Sequence, residues 1–396
     1  MTINSLIAML TFADFGIGNG LMNAISHCAG KDDREGARRY VSSAFFVLLA
    51  IACVFTAIFF ASYPFISWTR IFNVHSALAA RESGPSVAVF IASFLISLPL
   101  GIVQRIQFGY QEGFINNFWT IGASIAGLAG LILAIHLHGS LPWLIGAIVG
   151  TPVLALAANN ISLFKERPWL RPRWMSFSRE ASREVLGAGL MFFVLQLAMA
   201  IGYQSDNLVI AQVLGVDSVT QYAIPLKLFQ LIPTVSGLFM FSLWPAYGEA
   251  MARGDVSWIK RTYLRSLRLL AISVIPGALI LTVIATPLIH LWVGRSITPT
   301  ALLLVGLTLG SITNSFVGPI SAFMNGTRLL MFQVVSWSLM AATNLGISIF
   351  LTKKIGLSGV VYGSVISQTV FILIPSFWYI SRFIKKLEAQ TRNASA

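Results

Sequence analysis

Charge is what this sequence has least of. Of its 396 residues only 10% are charged, whereas 56% are hydrophobic and the mean hydropathy is +0.78. Soluble domains carry about 25% charged residues, so this chain is unable to clothe its own surface for water. That shortage places it in a membrane. Cysteine is scarce as well. Cys28 and Cys53 lack metal spacing and read as small apolar packing residues. No basic segment leads into the first apolar run, as a secretory signal requires. Alternating ten-residue strands punctuated by turns are missing, which argues against a β-barrel. Nucleotide-binding signatures and a GxSxG elbow are missing too, and His136 and His138 have no neighbouring carboxylate or cysteine to complete a metal site. Neither catalysis, direct use of ATP nor a bound cofactor is expected.

What the sequence does have is apolar runs of about 20 residues, the length that crosses about 30 Å of hydrocarbon. They fall at 2–27, 41–68, 85–108, 118–138 and 141–164, then at 186–213, 222–247, 264–292, 299–324, 330–352 and 356–381. The expectation is an all-α polytopic membrane protein of about 11 transmembrane helices. The longest polar stretch, KERPWLRPRWMSFSREASRE at 165–184, divides them. Three regions follow: an N-terminal lobe at 1–164, a basic linker at 165–184 and a C-terminal lobe at 185–396.

Basic residues are distributed unevenly. Alternate loops and flanks take 21 of the 27 Lys and Arg, the opposite set takes five, and Lys227 is left inside a helix. By the positive-inside rule the linker and the C-terminus are cytoplasmic. The same bias explains a net charge of +13 without a nucleic-acid partner.

The lobes repeat one another. GKDDREGARRYVSSAF at 30–45 matches ARGDVSWIKRTYLRSL at 252–267, and HGSLPWLIGAIVG at 138–150 matches IGLSGVVYGSVIS at 355–367. Corresponding loops carry the same charge bias, so the repeats run in parallel, an arrangement that recurs in secondary transporters with substrate bound between lobes. The alignment leaves helix 186–213 without a counterpart in the first lobe. Either the true start lies upstream or the chain is truncated, and a misplaced start is the expectation.

Three stretches carry a resemblance. DFGIGNGLMNAIS at 14–26 with the loop that follows, YAIPLKLFQLIPTVSGLFMFSLWPAYGEAMARGD at 222–255, and KKIGLSGVVYGSVIS at 353–367 resemble bacterial polysaccharide flippases. These are the O-antigen and exopolysaccharide flippases of the multidrug/oligosaccharidyl-lipid/polysaccharide exporter superfamily. The resemblance implies an inner-membrane transporter for surface polysaccharide biosynthesis, such as lipopolysaccharide. It would move an undecaprenyl-diphosphate-linked oligosaccharide by alternating access, the sugar in a polar cavity between lobes and the tail among membrane lipids. Further implied partners are a coupling ion, proton or sodium, and a polysaccharide polymerase or chain-length machinery. A cation-coupled drug exporter of the same superfamily is the alternative. A membrane-embedded glycosyltransferase or polymerase is a third reading, weakened because the longest loop is about 20 residues.

Four charged residues are candidates for a substrate or cavity site. Asp14 sits in an apolar run, where a carboxylate costs a few kcal/mol unless paired, hydrated or protonated. It reads either as a proton-responsive cavity residue or as a structural one bonded to a neighbouring helix end. Gly16 and Gly20, four apart, suggest a helix-packing face. Asp206 and Lys227, on consecutive helices at similar depth, suggest an intramembrane ion pair, with Lys227 also able to meet an anionic head group. Arg105, beside Gln104 and Gln107, either receives a diphosphate or anchors a helix end. Gln196, Gln204, Asn207, Gln212, Gln230, Asn314 and Asn344 are many polar groups for membrane helices; they line water or bond helix to helix.

Overall fold

A computed structural model describes residues 14–72 and 76–395. Among these residues the chain is helical throughout, with no strand, and nine helices are long and apolar enough to cross a membrane. A bent pair, Val216–Phe229 with Leu231–Arg253, makes a tenth span. The run expected at 2–27 lies partly outside the described residues, and its remainder forms helix α1, Ile17–Gly30. The protein is a multi-pass membrane protein.

The residues divide into two compact units, Met1–Phe192 and Phe193–Ala396. The first holds α1, α2 (Arg34–Ser62), α3 (Ala77–Leu100), α4 (Ile102–Gly109), α5 (Gly113–His136) and α6 (Leu141–Glu166). Helix α7 (Arg179–Val213) contains the division between the units. The second unit continues with α8 (Val216–Phe229), α9 (Leu231–Phe241), α10 (Leu243–Arg253), α11 (Val256–Val293), α12 (Ala301–Gly326) and α13 (Leu330–Ile355). It ends with α14 (Ser358–Gln368) and α15 (Ile374–Ser395).

The loops aligned in sequence are built alike. Asp32 (φ 53°) and Gly254 (φ 73°), 222 positions later, both take left-handed backbone, which Asp and Gly tolerate best. The next residue in each case is an aspartate that caps the following helix. Asp33 accepts from Gly36 N at 2.8 Å, and Asp255 from Trp258 N at 2.9 Å. Each cap satisfies an otherwise orphan N–H of α2 or α11.

The segment 165–184 is not a free tether. Two 3-10 turns, Pro168–Leu170 and Trp174–Ser176, lay it along α2. Arg173 N donates to Ser42 Oγ, Ser178 N donates to Ser43 Oγ, and Ser43 Oγ donates to Ser178 O. Arg167 pairs with Glu112 and stacks over Tyr110. Burial pushes the Tyr110 phenol up to about 12, so the ring stays neutral beneath the guanidinium.

Helix α1 packs on the start of α7 through glycine. A Cβ on Gly20 would lie 2.7 Å from the carbonyl of Val185, and one on Gly189 would lie 3.1 Å from the backbone of Ile17. Such contacts with backbone relax only if a helix moves. Gly20→Ala is expected to cost about 1–3 kcal/mol through overpacking, whereas Gly187→Ala, on the same partner helix with open space around it, is expected to be neutral. Thermal unfolding in detergent distinguishes them, and equal midpoints would remove the close approach as a constraint.

Candidate functional site

Among the described residues a polar cluster forms in each unit. In the second unit it begins at the bend between α8 and α9, 43° at Gln230. Pro233 has no N–H to offer the carbonyl of Phe229 four residues earlier. Ser311 Oγ of α12 stands 3.1 Å from that carbonyl and 2.8 Å from the carbonyl of Leu307, its one hydrogen shared between them. The bend opens a cavity of about 350 Å³, lined by Asp206, Tyr222, Gln230, Asn314, Ser364 and Gln368 among others. That size is at the low end of small-ligand pockets.

Asp206 of α7 is its one acidic lining residue, 8% exposed. Tyr222 Oη donates to Asp206 Oδ2 at 3.1 Å, and Ser364 Oγ stands 3.2 Å from both carboxylate oxygens. Ser364 Oγ is also 3.2 Å from Asn344 Oδ1, which already accepts from Ser348 Oγ at 3.0 Å. A hydroxyl has a single hydrogen, and a carboxylate accepts about four bonds. Acceptor oxygens therefore outnumber donors around Asp206. Elsewhere on the cavity wall, Tyr203 Oη and Gln368 Nε2 both donate to Asn314 Oδ1, at 2.8 and 2.9 Å.

The expected pairing of Asp206 with Lys227 is not made. Among the described residues no ion pair joins them, and Lys227 is exposed. The reason is rotational. Lys227 is five residues beyond Tyr222, about 140° around a helix of 3.6 residues per turn, and Tyr222 takes the face toward Asp206. Matching depth was sound arithmetic, but angle decides contact. In a double-mutant cycle, Asp206→Ala and Lys227→Met are expected to add to within about 0.3–0.5 kcal/mol. A larger coupling in unfolding free energy would restore the pair.

The first unit's cluster surrounds Arg105. Gly101 interrupts α3 and α4, and Asn160 Nδ2 donates to the carbonyl of Leu100 there, at 2.8 Å. From α4, Arg105 Nη1 donates to Asn19 Oδ1 at 2.7 Å and Nη2 lies 3.7 Å from Asp14 Oδ2. The two charged side chains are 29% and 21% exposed. Asp14 is not inside a helix. Phe15 and Gly16 take left-handed backbone (φ 48° and 70°), α1 starts at Ile17, and Gly16 N donates to Asp14 Oδ1 at 2.9 Å. Gly16 is therefore the cap of α1, and the close helical approach expected of it belongs to Gly20 and Gly189. Gly18, between Gly16 and Gly20, is where a Cβ would meet Arg105 Nε at 2.6 Å. Gln107, grouped with Arg105 in the sequence, exchanges two hydrogen bonds with Asn159, at 2.7 and 3.0 Å, and so serves to join helices.

Among the polar residues picked out earlier, Gln230 and Asn314 line the cavity. Asn344 is buried, donating to the carbonyl of Gly202 at 3.1 Å. Tyr203, Tyr222, Ser364, Gln368 and Asn19 were missed. Hydroxyls and amides in apolar helices are common; within the second unit the facing of its helices brings Tyr203, Tyr222, Ser364 and Gln368 together, and in the first unit Asn19 meets Arg105. No group of three or more His, Cys, Asp or Glu able to hold a metal occurs among the described residues.

This architecture is shared with solved transporters. An outward-facing multidrug resistance transporter of the MATE family, within the MOP superfamily, aligns at a TM-score of 0.76 and 19% identity, covering 97% of this chain and 87% of that one. A MOP superfamily transporter from Pyrococcus furiosus aligns at 0.75 and 18% over the same shares. At such identities the likeness shows the fold. The family described as polysaccharide biosynthesis protein matches residues 2–302, and the chain belongs to it. A Salmonella typhimurium protein named for O-antigen transport is 23% identical over 286 residues, 70% of this chain and 61% of that protein. A Yersinia pseudotuberculosis protein named for O-antigen export is 28% identical over 258 residues, 63% and 57% respectively. The chain thus spans less than two thirds of the length of these relatives.

Proposed function

We propose that the protein is a flippase that carries an undecaprenyl-diphosphate-linked oligosaccharide across the bacterial inner membrane for O-antigen or exopolysaccharide assembly. Its linker and C-terminus face the cytoplasm. Membership of the polysaccharide biosynthesis family is the observation that carries this reading, and relatives named for O-antigen transport and export support it. The partly exposed guanidinium of Arg105 supplies the cation that a diphosphate needs in a weakly polar setting. Bound substrate would compete with Asp14 for it. Lys227 offers a second, exposed cation.

The coupling role expected of Asp14 is reassigned to Asp206. Asp14 already has a cation partner. Among the described residues Asp206 has neutral partners, Tyr222, Ser364 and Asn344, and no cation, a setting that favours uptake of a proton or a sodium ion. Drug export, the alternative, is supported by the MATE neighbours in fold only.

Proteoliposomes loaded with a fluorescent undecaprenyl-diphosphate oligosaccharide in one leaflet test the proposal. Expected is gradient-stimulated appearance of the sugar at the opposite leaflet, and no extrusion of cationic dyes. Dye extrusion without sugar movement would establish the drug exporter.

A further inference from the structure

The segment between α6 and α7 carries a surface that transport chemistry does not use. Trp174 is 71% exposed and Met175 97%, with Phe177 beside them. The three lie outside every candidate span, yet they are held firmly. Trp174 and Phe177 stack on each other, and both meet Phe46 of α2 edge-on. The hydrogen bonds to Ser42 and Ser43 pin the turn on either side.

The depth of that turn follows from the length of α2. Its 29 residues exceed the roughly 20 needed to cross about 30 Å of hydrocarbon at 1.5 Å per residue. The surplus lies at the N-terminal end, where Arg34, Arg38 and Arg39 stand. About 20 residues counted back from Ser62 arrive at Ser43, one of the two serines that hold the turn. Trp174, Met175 and Phe177 are thereby set at the hydrocarbon boundary, the level that Trp prefers for its half-apolar ring.

Charge points the same way. Arg167 is taken by Glu112, and Arg171 Nε donates to the carbonyl of Phe164. Arg173 and Arg179, which bracket the aromatic turn, are exposed and make no ion pair among the described residues. A free Lys or Arg close to an anionic leaflet is drawn to its phosphates.

We infer that the turn at Trp174–Ser176 is a docking surface for anionic phospholipid: Trp174, Met175 and Phe177 enter the interface of the adjacent leaflet, and Arg173 and Arg179 bind its phosphates. The segment between α6 and α7 is then gripped by lipid, and the grip depends on lipid charge.

The test places an environment-sensitive fluorophore on Met175→Cys in a Cys53→Ser background; Cys28 is buried. The full chain is held in nanodiscs of phosphatidylcholine, alone or mixed with phosphatidylglycerol. Lys31→Cys, in the exposed turn between α1 and α2, gives the aqueous reference. Expected is severalfold stronger quenching at 175 by a lipid bearing a shallow spin label than by iodide. Phosphatidylglycerol should deepen that protection in the parent but not in Arg173→Gln with Arg179→Gln. Iodide access at 175 equal to that at 31, or a phosphatidylglycerol effect unchanged in the double variant, would overturn the inference. Both changed residues are exposed, so folding is not at stake.

Discussion

Asp206→Asn is expected to bring the rate of sugar translocation in an imposed ion gradient down to the rate without one. The amide keeps the size of the carboxylate and its bond from Tyr222, but it removes the negative charge. Its own NH2 also relieves the surplus of acceptors formed with Ser364 and Asn344. Nothing then remains at that position to take up a proton or sodium. If coupling supplies even 1.4 kcal/mol of driving force to the slow step, the loss is about tenfold. Asp206→Glu, which keeps the charge but crowds a cavity of about 350 Å³, should retain part of the stimulation. The measurement is leaflet-resolved flipping with proton and sodium gradients imposed separately. Stimulation that survives in Asp206→Asn would make Asp206 a structural residue.

The second large effect is expected at Arg105, where structure and substrate make different demands on one guanidinium. Arg105→Ala removes the cation facing Asp14 and the donor to Asn19. A fully buried pair broken on one side costs about 3–5 kcal/mol, and an exposed one about 0–1. At 29% and 21% exposure, about 1–3 kcal/mol is expected, seen as lower folded yield. Adding Asp14→Asn should recover that yield, since no lone carboxylate remains, while flipping of the diphosphate substrate stays abolished. Arg105→Lys should hold Asp14 but flip poorly, because a point charge does not reproduce the planar fork. Recovery of transport together with yield in the double variant would confine Arg105 to stability.

Much of the fold was legible from residue order. A run of apolar residues has one solution in hydrocarbon, a helix whose backbone bonds are all internal. The turns at Asp32–Asp33 and Gly254–Asp255 were legible for the same local reason, since each acts on its own helix start. The site was less legible. Asp206 and Arg105 stood out because charge is rare here, but their partners did not. Depth along a helix can be counted, whereas rotation about its axis depends on which neighbour it meets. Tyr222 rather than Lys227 faces Asp206 for that reason. Asp14 went astray differently. It reads as helical when the apolar run is extended through it, but the left-handed pair Phe15–Gly16 stands between Asp14 and the start of α1 at Ile17.

The sequence by itself determined the solvent, the all-helical class and the small set of charges worth explaining. Each depends on composition or on residues within a turn or two of one another. Only the tertiary structure decided which charges are paired. The Arg105–Asp14 contact joins residues 91 positions apart through a gap at Gly18. The Asp206 cluster draws on α7, α8, α13 and α14. The segment 165–184, polar enough to read as a loose linker, is fastened along α2 by Ser42 and Ser43. Contacts between distant residues come from how helices turn toward one another, and in an apolar solvent that choice rests on a few hydrogen bonds and close-packed glycines.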